Sequence, residues 1–155
     1  MKKSALLVLI LMAISSTNLF SQTSGTGLGI MVGEPSGISF KHWVAPNHAV
    51  DAGLAWLFAD NGNFQLHADY LYHANVFELN NSAGYIGIGG RIMFRNSDKG
   101  ETDNRFGVRV PAGLNFYFPE PKLDVFIEIA PILDLTPSSK FSINGLAGVR
   151  YFFNQ

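Results

Sequence analysis

At 155 residues the chain suffices for one domain, with or without a targeting segment. The absence of cysteine excludes a disulfide framework, a thiolate metal site and a lipid-modified N-terminal cysteine. Charged residues make up only 15%, and the net charge of −1 leaves no basic face for nucleic acid.

The N-terminus comes first in the chain and sets the compartment. Lys2 and Lys3 precede a nearly unbroken apolar run, Ala5 to Ile14, and then polar Ser15-Ser16-Thr17-Asn18. That run is shorter than the ~18 apolar residues a membrane helix needs, so residues 1–21 are read as a cleaved secretory signal. The cut is placed near Ser21, although Leu19 is larger than the residue usual two positions earlier. Without Lys2 and Lys3, 9 basic residues face 12 acidic ones, a net charge of about −3. Residues 22–155 form the expected second unit, and no later apolar run approaches a membrane helix.

From Gly25 onward apolar and polar residues alternate with period two. Eight strands are predicted: Thr26–Val32, Gly37–Val44, Ala49–Phe58, Asn63–Val76, Gly84–Arg95, Arg105–Phe118, Lys122–Leu135 and Phe141–Phe153. The connections are rich in Gly, Pro, Asn and Ser, which turn the chain for known backbone reasons. None is long enough for a crossover helix, so neighbours should pair antiparallel. The fourth strand shows the pattern best. Phe64, Leu66, Ala68, Tyr70, Tyr72, Ala74 and Val76 share one face, and Gln65, His67, Asp69, His73 and Asn75 the other. The expected fold is all-β: a closed eight-stranded antiparallel up-and-down transmembrane β-barrel.

Alternation alone does not say which face points inward; a soluble lipocalin-like carrier would bury the apolar one. Aromatic residues of the apolar face cluster near strand ends, as interfacial girdles do. Phe58, Phe64, Phe94, Phe106 and Phe141 would form one ring, and Phe116, Phe118, Tyr151 and Phe153 the other. The polar faces, in turn, carry few charges, of both signs, in positions that can pair. With the simplest register at every turn, Lys41 falls opposite Asp51 and Asp69 opposite Arg91. Arg105 then lies near Asp134, Arg109 near Glu128, and Asp124 near Arg150. Arg91 and Arg109 become cross-strand neighbours needing the acids on either side. These ten residues form the predicted lumen salt-bridge network, since buried charges must be paired.

Five stretches carry a family resemblance: Gly33-Glu-Pro-Ser-Gly-Ile-Ser-Phe-Lys-His-Trp43, Leu66-His-Ala-Asp-Tyr-Leu-Tyr-His73, Gly107-Val-Arg-Val-Pro-Ala-Gly-Leu-Asn115, Asp124–Pro137 and the terminal Gly148-Val-Arg-Tyr-Phe-Phe153. Through them the chain resembles a family of uncharacterised small outer-membrane β-barrel proteins of OmpA/OmpX type. The resemblance implies an outer-membrane barrel and no particular activity. Ending at the eighth strand, the chain is expected to lack the peptidoglycan-binding domain of longer OmpA-type proteins.

Candidate chemistry is sparse. His67 and Asp69, with Asp51 or His73, could ligate a metal, but a hydrogen-bonded lumen filling is the preferred reading. His42 and His48 have no neighbouring serine for a lipid-hydrolase pair, so they read as interfacial. Gly25-Thr-Gly-Leu-Gly29 precedes no helix and is no phosphate loop. Eight strands enclose little more than side chains, so a wide pore is not expected.

The resulting expectation is a non-catalytic structural barrel without metal or cofactor, in the bacterial outer membrane with both termini periplasmic. Its partners are outer-membrane lipid and, during insertion, the barrel-assembly machinery. The alternatives are a surface binder using the loop Asn96–Asn104, with an extracellular protein partner, and the soluble periplasmic carrier.

Overall fold

A computed structural model describes residues 24–57, 63–77, 79–95, 104–120 and 122–153. The signal at 1–21, Phe58, and positions 96–103 of the surface loop lie outside the described residues.

Nine strand segments follow in chain order: β1 Thr26–Glu34, β2 Ser36–Ala45, β3 His48–Leu57, β4 Asn63–Ala74, β5 Ser82–Phe94, β6 Arg105–Arg109, β7 Ala112–Phe118, β8 Leu123–Thr136 and β9 Lys140–Phe152. The predicted sixth strand is divided into β6 and β7 because Pro111 has no N–H for the ladder. The division is local. Arg109 faces Gly89 and Ala112 faces Ile86, so the register against β5 runs through without slipping. Acceptors survive at the break: Gly87 N–H donates to Pro111 O (2.8 Å) and Val110 N–H to Pro131 O (3.0 Å). β6 and β7 are therefore halves of one strand. Every pairing is antiparallel, and β9 closes onto β1, with Arg150 opposite Gly29. The result is a closed barrel of eight strands.

Which face is inside follows from burial. Leu28, Ile30, Leu66, Tyr70, Ile86, Ile88, Ile129 and Ile143 are exposed on the outer wall, while Lys41, Asp51, Asp69, Arg109, Asp124 and Arg150 are buried in the lumen. The soluble-carrier alternative needs the opposite arrangement. Aromatics sort by height on the outer wall. Phe64 faces Phe94 near the β3–β4 turn and packs edge-on against Trp56 at 5.1 Å. At the other end Tyr151 meets Phe153 at 5.2 Å, beside exposed Phe116 and Phe118. Both chain ends emerge at this second end, since Gly27 pairs with Phe152.

Two apolar clusters are interleaved with the charged groups inside. Trp43, Ala49, Ala83, Tyr117 and Phe152 pack at the end near the termini, and Met31, Ala55, Phe126 and Leu146 pack toward the other.

Candidate functional site: the charged lumen

The inward parity of each strand delivers the lumen side chains: odd positions on β1 to β7, even positions on β8 and β9. All ten residues of the predicted network lie on this face, five basic and five acidic. They fall into three groups along the barrel, the first two sharing Asp124.

The first group lies toward the chain termini. Lys41 and Asp51 are directly opposite in register, as expected, yet they are not each other's ion-pair partners. Lys41 Nζ lies 3.5 Å from Asp124, 2.9 Å from His73 Nε2 and 3.2 Å from the Asn115 oxygen it donates to. It also sits 4.6 Å from the Trp43 ring centroid, a cation–π contact. Asn115 in turn donates to Asp124.

The second group is central. Arg150 donates to Asp51, to Asp124 at 3.2 Å and to the Ser39 hydroxyl at 2.8 Å, its guanidinium lying 3.7 Å over the Phe126 ring. Arg109 reaches Asp69 at 3.2 Å and donates to Glu128, which also accepts from the Tyr85 hydroxyl at 2.9 Å. Gly89 makes this possible, because a Cβ there would overlap the Asp69 carboxylate.

The third group faces the mouth opposite the termini. Arg91 grips Asp134 with two nitrogens, at 3.0 and 2.7 Å, and donates to Ser142 at 3.1 Å; Arg105 lies 3.9 Å from the same carboxylate. A cavity of about 220 Å³ opens there, lined by Arg91, Arg105, Asp134 and Lys140 among others.

The structure corrects two expected pairings. Asp69 faces Gly89, while Arg91 faces His67, so β4 and β5 are two residues out of the simple-turn register. Arg91 and Arg109 are not opposite each other either, facing Gly107 and Gly89. Asp69 therefore neutralises Arg109, and Arg91 belongs to Asp134. Arg105 with Asp134, Arg109 with Glu128 and Asp124 with Arg150 are brought together.

Neutral partners were the larger omission. Ser39, His73, Tyr85, Asn115 and Ser142 all bond into the network; their inward parity is a readable signal, but nothing in the order of residues says which charged group each one serves. Tyr85→Phe leaves a buried Glu128 oxygen without its donor. The expected loss is about 1–3 kcal/mol, read as a lower urea midpoint of the refolded barrel.

The outer histidines make ordinary contacts. His42 Nδ1 lies 2.8 Å from the Thr26 hydroxyl, and His48 packs against Tyr72 at 5.2 Å. Ser39 is buried and Ser36 bonds Gly33 locally, so neither serine stands beside these rings.

The barrel is similar to the N-terminal β-barrel domain of Pseudomonas aeruginosa OprF, at 17% identity and a TM-score of 0.62, over 85% of this chain and 98% of that one. Neisserial surface protein A (NspA) matches at 16% identity and a TM-score of 0.54, over 83% of this chain and 93% of that one. These likenesses are of fold. No protein with a curated description matches in sequence. A family model described as "Protein of unknown function (DUF3996)" matches residues 18–154.

Proposed function

The chain belongs to the DUF3996 family, and on that premise we propose that it is an integral outer-membrane barrel with a structural role in the envelope. One observation carries the reading: the apolar face is outside and the charges are inside. An exposed apolar surface running round a whole barrel is intolerable in water and is what a lipid belt requires. Outer-membrane lipid is then the constant partner, and the barrel-assembly machinery the one met at insertion. Export by residues 1–21 would leave both termini in the periplasm, with the β1–β2 and β8–β9 turns outward.

A non-catalytic role fits the side chains. Among the described residues the lumen acids and bases hold one another in ion pairs, and Ser39, the lumen hydroxyl at their centre, accepts from Arg150 rather than facing a base. The apolar clusters packed between the charged groups favour a plug over a channel.

Fractionation of expressing cells tests this directly. The protein is expected in the outer membrane, and its unboiled form should run as a compact species that shifts on boiling. Recovery in the soluble periplasm would overturn the proposal.

A further inference from the structure

Asp51 and Asp69 stand directly opposite each other on β3 and β4. Like charges in that position repel, and both carboxylates are buried. His67 is two residues from Asp69 on the same inward face, and its cross-strand partners are Gly53 of β3 and Arg91 of β5. A Cβ at Gly53 would overlap the His67 ring, so the glycine leaves the space the imidazole occupies against β3. One ligand atom from each of Asp51, His67 and Asp69 lies within 4.8 Å of the other two.

The atoms not used by the network are the telling ones. Arg150 engages Asp51 through Oδ2, and Arg109 meets Asp69 through Oδ2. Asp51 Oδ1, His67 Nδ1 and both Asp69 carboxylate oxygens are buried without a hydrogen-bond partner, the Arg109–Asp69 contact being an ion pair only. Buried acceptors in a closed wall carry a penalty of about 1–3 kcal/mol each unless something satisfies them.

We propose that Asp51, His67 and Asp69 form a divalent transition-metal site inside the barrel, with zinc the fitting ion. One imidazole nitrogen and two carboxylate oxygens are a borderline donor set suited to zinc, with water in the fourth position. Each aspartate then bridges, one oxygen on the metal and the other on an arginine. Such outer partners orient a ligating carboxylate. Zinc bonds of about 2 Å draw the three side chains inward from their present spread. The ion replaces repulsion between β3 and β4 with a cross-link. His73 takes no part, being held by Lys41 in the group nearer the termini. The site depends only on the closed barrel, whatever the envelope role.

The test uses untagged protein refolded in detergent with one equivalent of zinc chloride, desalted and analysed for bound metal. About one zinc per barrel is expected for the wild type. His67→Ala should retain none while keeping its heat-modified gel mobility, because among the described residues His67 Nδ1 has no hydrogen-bond partner to lose. His67→Gln, which preserves volume, serves if the alanine variant folds poorly, and should likewise lose the metal. Cobalt in place of zinc should give visible d–d absorption in the wild type only. Absence of retained metal in the wild type, or equal retention by the His67 variants, would overturn the site.

Discussion

Replacing Arg109 by methionine is expected to destabilise the barrel by about 3–5 kcal/mol. Arg109 is fully buried and serves two acids, Asp69 at 3.2 Å and Glu128 by a direct hydrogen bond. Methionine fills much of the space but leaves two carboxylates in a low-dielectric lumen with no counter-charge. Urea titration of the refolded barrel should show a much lower midpoint, and the unboiled compact species should be partly lost. Asp69→Ala removes one acid only, and Glu128 still pairs with Arg109. It also relieves the opposition of Asp51 and Asp69, so its cost should be smaller. The combination Arg109→Met with Asp69→Asn and Glu128→Gln removes the stranded charges and should recover part of the loss. An unchanged midpoint for Arg109→Met would show that water reaches the lumen and screens the network.

The second large effect is expected on the outer wall. Ile88 lies midway along β5, is 61% exposed, and pairs with Tyr70 of β4. Ile88→Lys places an ammonium at the middle of the proposed lipid belt, where the cost is about 2–4 kcal/mol. In water the same change is nearly neutral, since surface substitutions usually stay within ~0.5 kcal/mol. Stability measured in lipid vesicles should therefore fall, and yield in the outer membrane with it. A lysine near the rim, at Phe153, should cost far less, because its chain can reach the headgroups. Equal, small effects at both positions would argue against immersion.

Each change probes a different layer of information. Ile88 and Arg109 were assignable to opposite faces from order alone, because side chains alternate across a strand whatever the rest of the molecule does. Of the two partners of Arg109, Glu128 was assignable from the order of residues and Asp69 was not. Across the tight Ala45–His48 turn, Lys41 faces Asp51 as expected, and across the short connection before β9, Asp134 faces Lys140 and Asp124 faces Arg150. Across the longer stretch between β4 and β5, Asp69 slips two residues to Gly89. A slip of two preserves every face, so the hydrophobic pattern raises no objection to it.

Residue order by itself thus determined the all-β class, the eight strands, the apolar outer face and the ten charges of the lumen. Strand alternation and turn chemistry are local, and they survive any modest shift between neighbours. Order also placed Arg105 near Asp134, Arg109 near Glu128 and Asp124 near Arg150, while the tertiary structure alone decided the other pairings: Asp69 with Arg109, Arg91 with Asp134, Lys41 with Asp124, and Asp51 beside Asp69 and His67. Long arginine and lysine side chains reach across the closed lumen to strands that are not their sheet neighbours, as Arg91 of β5 does to Asp134 of β8. Such contacts exist only once curvature brings distant strands face to face, and no spacing along the chain encodes that meeting.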